Sequence, residues 1–177
     1  FLDKKFPSLN IKDISPDELT TQRENLLLEK PHLTNRISEF REQFILSILI
    51  TRGVEYQNAK CAASEAFERF LEQRHRIILD AQTIPMLTTI RQYFLVGAIT
   101  NGNADVYKTE LGRFFDFAWR AEQFGVSKPD PKLFHKAFSQ AGVKSDQVIH
   151  VGDSHEHDVD GAIKAGARAI WLNHDGK

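Results

Sequence analysis

V-I-H-V-G-D-S-H-E-H-D-V-D-G-A, from Val148 to Ala162, is the stretch whose pattern decides the fold of this chain. Val148 to Val151 is short and rich in β-branched residues, the pattern of a buried strand. Gly152 lets the backbone turn sharply and leaves Asp153 just past the strand's carboxyl end. In an open α/β sheet, ligands bind at that edge. Asp158 follows five residues later, at or near the first turn of a helix that runs through Ala162, Ile163 and Ala165 to Gly166. Two carboxylates set across one strand–loop–helix turn can hold a hard divalent cation. Mg²⁺ suits such a place, because it takes one or two protein carboxylates, several waters and the oxygens of a phosphate. The same pattern also serves as a plain strand exit, with Gly turning and Asp capping a helix. Its neighbours decide between the two.

Outward from this stretch the same grammar repeats. Arg168 to Leu172 reads as a strand after the helix. Upstream, Asp130-Pro131 opens a helix with Leu133, Phe134, Ala137 and Phe138 inward and Gly142 closing it. Phe115 to Trp119 reads as a strand. Phe94-Leu95-Val96-Gly97-Ala98-Ile99 is a continuous apolar run of the kind buried on both faces of a parallel sheet. A helix around Ile84, Leu87 and Ile90 precedes it. Strands alternating with helices predict an α/β layered domain with a parallel sheet.

Before about Arg76 the pattern is helical. Ser15-Pro16-Asp17-Glu18 has the form of a capping box with Pro at the first helical position, opening a helix that carries Leu19, Leu26 and Leu27 and stops before Pro31. A second helix spans about Thr34 to Arg52 with Ile37, Phe40, Phe44, Ile45 and Ile48 at helical spacing, closed by Gly53. A third spans about Tyr56 to Arg74, with Ala59, Ala63, Ala66, Phe67, Phe70 and Leu71 on one side. Successive amphipathic helices on short loops make a small bundle.

Composition bounds the function. The 177 residues are 41% hydrophobic, enough for a packed core, and the formal net charge is −1. No Lys/Arg cluster is dense enough for a nucleic-acid footprint. Cys61 is the single cysteine, so no intrachain disulfide forms and a reducing cytoplasm is expected. The longest apolar run, Phe44 to Ile50, is far too short to span a bilayer, so no membrane role is expected. Oligomeric state is not legible in the sequence.

Three strand ends now carry chemistry. Ile99-Thr100-Asn101-Gly102 leaves one strand with a hydroxyl and an amide at its carboxyl edge. Lys128, in Ser127-Lys128-Pro129-Asp130-Pro131, lies between the next strand and its helix, and Asp153 and Asp158 follow the third strand. A hydroxyl and backbone N–H groups bind phosphate oxygens, and an ammonium offsets their charge. Carboxylates can place a metal on the same group. Singly, Thr100 is a turn hydroxyl and Lys128 a solvated loop lysine. Their order along one sheet edge is much harder to reach by chance.

In I-T-N-G (Ile99 to Gly102), S-K-P-D-P (Ser127 to Pro131) and V-G-D-S-x-x-x-D-V-x-G-A (Val151 to Ala162) the chain resembles the haloacid dehalogenase-like (HAD) superfamily of aspartate-nucleophile phosphatases. The three stretches match that family's second, third and fourth motifs, in order, and the likeness covers about Ile84 to Leu172. The resemblance implies a Rossmann-like parallel-sheet core over residues 82–177 and an α-helical cap over residues 1–81. It implies that Thr100 binds the transferring phosphoryl group with Asn101 beside it, and that Lys128 steadies nucleophile and phosphate. It further implies that Asp153 ligates Mg²⁺, and that Asp158 is a second ligand or orients Lys128 and a metal-bound water. T-N-G-N and K-P-D-P resemble most the bacterial members acting on flavin mononucleotide or related ribityl phosphates. The substrate expected is therefore a small-molecule phosphate ester.

One departure matters. The family's first motif, an apolar strand ending D-x-D-x-T, supplies the nucleophilic Asp and precedes the cap, and this chain lacks it. Ile77-Ile78-Leu79-Asp80-Ala81-Gln82-Thr83 is the nearest lookalike. Gln82 cannot act as acid or base, and the segment follows the helical region, so Asp80 is expected to be a loop or helix-capping residue. The missing strand belongs in the middle of the sheet, where unpaired backbone groups are costly. The chain opens on Phe1-Leu2 without Met, and its fourth strand ends a few residues before Lys177. The expectation is that residues upstream of Phe1 supply the nucleophile and that the carboxyl terminus is trimmed.

Other readings compete. Dehalogenation on the same fold needs no metal and leaves the Asp153/Asp158 pair without a use. A signalling receiver module places its acidic residues before the Thr and its Lys near the last strand, the reverse of the order here. A catalytically incomplete binding protein describes this chain if nothing supplies the absent strand. His155 and His157 beside Glu156 read as exposed loop histidines rather than a closed transition-metal site, and His150 as a satisfied core residue.

Overall fold

The computed structural model describes residues 1–173 and Gly176. The expectation of a trimmed carboxyl terminus bears on His174, Asp175 and Lys177, which lie outside the described residues. The chain divides into two compact units, Phe1–Ile77 and Ile78–Lys177, four residues before the boundary read from the sequence. Ile78 is fully exposed and Asp80 accepts from the Gln82 N–H at 2.8 Å, so this stretch is a connecting turn. Among the described residues no helix is long and apolar enough to cross a membrane.

The first unit is helical: α1 (Leu2–Lys5), α2 (Pro16–Glu29), α3 (Ile37–Thr51) and α4 (Tyr56–Arg74). Ser15 Oγ accepts from the Glu18 N–H at 3.1 Å, the first half of the expected capping box. The second half does not form, because Glu18 takes Arg52 Nη2 at 2.8 Å instead. Leu46 and Leu49 of α3 pack on Ala59, Ala62 and Ala63 of α4, where small side chains let the helices approach closely. The α4 cap is Glu55, which accepts from the N–H groups of Gln57 and Asn58.

The second unit opens with α5 (Thr83–Ile90) and continues β1 (Gly97–Thr100), β2 (Phe117–Arg120), α6 (Ala121–Phe124), α7 (Pro131–Ala141) and β3 (Ile149–Gly152). A π-helical turn, His155–Asp160, then feeds α8 (Gly161–Lys164) and β4 (Arg168–Trp171). β1 pairs parallel with β2, Thr100 opposite Arg120, and β3 pairs parallel with β4, Gly152 opposite Trp171. Phe134, Ala137 and Phe138 of α7 form one core with Ala162, Ala165 and Ala167. Ile99 and Trp119 from the first strand pair, and Val148 and Ala169 from the second, close on that same core. The α/β class expected from the sequence holds.

The parallel strands form two two-stranded sheets, in keeping with a core expected to lack its central strand. One expectation changes. The run read as a strand buried on both faces is not so buried, since Phe94 and Leu95 precede β1 at 64% and 66% exposure, and in the run read as a buried strand Ile149 and Val151 stand at 44% and 50%. An apolar run becomes a doubly buried strand only where a layer exists on each side, and here the described residues supply one.

Candidate active site

Asp158 is the hub. It is buried, and Lys128 Nζ donates to its Oδ1 at 2.5 Å while His150 Nε2 meets the same oxygen at 3.1 Å. The Ser154 N–H donates to Oδ2 at 3.0 Å. Burial opposes its ionisation, yet Lys128, His150 and the Ser154 N–H together hold the carboxyl down at about 2. Burial, with the neighbouring Lys128 charge, pushes the His150 imidazole below its ordinary value against the pull of Asp158. A Cβ on Gly152 would strike the Asp158 carboxylate, so glycine at the strand end lets that carboxylate lie over the backbone.

Lys128 joins the strand ends. Besides Asp158, its Nζ donates to the Ile99 carbonyl at 3.1 Å. Its main chain is clamped by Asn101, whose Oδ1 accepts from the Lys128 N–H at 2.8 Å and whose Nδ2 donates to the Lys128 carbonyl at 2.9 Å. Asn101 was expected beside the substrate. Its amide oxygen and nitrogen each engage the Lys128 main chain, so its side chain holds Lys128. Thr100 Oγ1 accepts from the Gly102 N–H at 2.9 Å, which leaves its hydroxyl proton to donate elsewhere. Thr100 also lines a cavity of about 120 Å³ with Arg120, Tyr107 and Gln123.

Asp153 stands apart from this network. It is exposed, no hydrogen bond engages its carboxylate among the described residues, and only its carbonyl is used, accepting from Trp171 Nε1 at 2.9 Å. The paired-carboxylate expectation therefore divides into a free Asp153 and an Asp158 whose oxygens are held by protein donors. Among the described residues no three His, Cys, Asp or Glu side chains gather closely enough to cage a metal ion. The donor set instead fits a hard cation held by one carboxylate and water, as Mg²⁺ prefers. His155 and His157 are exposed, as read; His157 Nδ1 lies 3.0 Å from Ser154 Oγ and His155 packs edge-on against Trp171.

Compared with known proteins, residues 52–172 match the family model described as haloacid dehalogenase-like hydrolase. The chain belongs to the haloacid dehalogenase-like hydrolase family. A 5-amino-6-(5-phospho-D-ribitylamino)uracil phosphatase, YigB, from Escherichia coli is 29% identical over 97% of this chain and 71% of that protein. A phosphoserine phosphatase from Thermus thermophilus is 31% identical over 76% of this chain, which spans 55% of it. A 2-haloacid dehalogenase structure from Pseudomonas syringae superposes with a TM-score of 0.93 at 38% identity, over 99% of this chain and 76% of that one. The expected likeness to ribityl-phosphate phosphatases has its counterpart in the E. coli relative. In this family member Lys128 joins the Ile99 and Asp158 stretches.

The sequence reading missed His150, Ser154 and the Ile99 carbonyl as parts of the site. For His150 a signal existed: strand periodicity puts it on the same face as Gly152, two residues on, which is the face Asp158 covers.

Proposed function

We propose that the chain is the larger part of a Mg²⁺-dependent phosphomonoesterase for a small-molecule phosphate ester, working in a reducing cytoplasm with residues 1–81 as cap. One contact pair carries the reading: Lys128 Nζ touches Ile99 at the end of one strand pair and Asp158 beyond the other. A fixed ammonium is then held on the carbonyl of the residue before Thr100, and an ammonium with a hydroxyl is a set that meets phosphoryl oxygens. Thr100 donates to a phosphoryl oxygen, Lys128 offsets the charge, and Asn101 and Asp158 keep Lys128 in place. Asp153 would hold Mg²⁺, which when bound would polarise the phosphoryl group. The nucleophilic carboxylate comes from a strand encoded upstream of Phe1 and seated between the two strand pairs. It attacks phosphorus, and water then hydrolyses the aspartyl-phosphate. The names of the E. coli and T. thermophilus relatives support phosphate-ester hydrolysis.

The test is p-nitrophenyl phosphate turnover by this chain and by the chain extended with its upstream coding residues. Turnover is expected only in the longer form, lost with EDTA and restored by Mg²⁺; activity that survives EDTA overturns the reading. The P. syringae likeness favours a second reading, 2-haloacid dehalogenation. Metal-independent halide release from 2-chloropropionate selects it. An extended chain with neither activity points to a binding protein.

A further inference from the structure

We propose that His150 is a positioning residue that fixes the Lys128 ammonium by locking the plane of the Asp158 carboxylate. Its kinetic consequence rests on the phosphatase reading; its geometry does not. His150 Nε2 lies 3.1 Å from Asp158 Oδ1, the oxygen that Lys128 Nζ meets at 2.5 Å. An ionised carboxylate only accepts, so Nε2 carries a proton where it faces Asp158.

The ring is well placed to hold another group still. It projects from β3, its side chain is 13% exposed, and it meets the fully buried Phe134 ring edge-on at 5.2 Å and 87°. Lys128 is the opposite case, a compact charge on a flexible four-carbon stem whose place is set by what it touches. Without His150 the one backbone-fixed donor to Asp158 is the Ser154 N–H on Oδ2, because the Lys128 ammonium moves with its stem. The contact from the strand gives Oδ1 a fixed donor of its own beside Lys128. The same occupancy reserves Asp158 for Lys128 and leaves Asp153 as the open carboxylate.

Two measurements test this. Nitrogen-edited NMR of the 177-residue chain should show His150 protonated at Nε2, with that proton protected from exchange; an Nδ1–H tautomer overturns the proposal. In the N-terminally extended chain, His150→Phe keeps a flat ring without the donor and His150→Gln restores an N–H at similar reach. The Phe variant should lose about 10- to 100-fold in kcat with KM within about threefold, and Gln should recover most of it. Wild-type kcat in His150→Phe overturns the proposal. So does a Gln variant as slow as Phe at an equal unfolding midpoint. A wild-type chain without turnover defeats the phosphatase reading instead, and the ring tautomer alone then decides this one.

Discussion

Asp158 gathers three donors onto a carboxylate that burial alone would drive toward neutrality, and its charge is in turn what makes a poorly exposed Lys128 tolerable. Removing one partner of such a pair leaves the other uncompensated. Asp158→Asn should cost about 3–5 kcal/mol at neutral pH, measured by urea unfolding. The pH dependence follows from the depressed carboxyl, near 3.8 ordinarily and about 2 when folded. Such a group stabilises above its unfolded value, and its contribution fades as pH falls toward the folded one. Wild type should therefore lose about 2 kcal/mol between roughly pH 5 and pH 2 that Asp158→Asn does not lose. At this scale the sequence is partly legible. Thr100, Lys128, Asp153 and Asp158 announce themselves as chemical groups at strand ends. The partner of Asn101 does not, because local spacing tells which way a side chain points and not what arrives there from 27 residues away.

Helix α7 is the element read most completely. Asp130 Oδ1 accepts from the Lys132 N–H at 2.9 Å, Gly142 ends the helix at φ 70°, and Leu133, Phe134, Ala137 and Phe138 are all buried. Cap chemistry and a 3.6-residue period are properties of the segment itself. Phe134→Ala removes the ring that both fills the core and backs His150, and should cost about 3–5 kcal/mol by thermal or chemical unfolding. The strands were harder to read because their covering belongs to other parts of the molecule. The π-helical turn was not legible at all. The Val159 N–H reaches the Ser154 carbonyl at 3.3 Å, and the turn carries Asp158 back over Gly152. Nothing in H-E-H-D-V-D distinguishes that extra residue from an ordinary first turn.

At the scale of the whole molecule, the two strand pairs share one core yet leave Phe94, Leu95, Ile149, Val151 and Ile170 exposed. Apolar surface of this kind, next to unpaired strand edges, binds whatever can cover it. The 177-residue chain should therefore enhance the fluorescence of 8-anilinonaphthalene-1-sulfonate and self-associate on size exclusion, and the N-terminally extended chain should do less of both. Equal dye binding by the two forms would argue that the extension does not cover this surface. The bidentate grip of Asn101 on Lys128 has the opposite character. It pairs the lysine main chain as a neighbouring strand would, although Lys128 lies in no strand. The cost in freedom of holding that main chain is met while the polypeptide folds, so an anion bound at Lys128, on the proposed reading, would meet a mould already set, and its association should show little of the entropy loss that accompanies a closing grip.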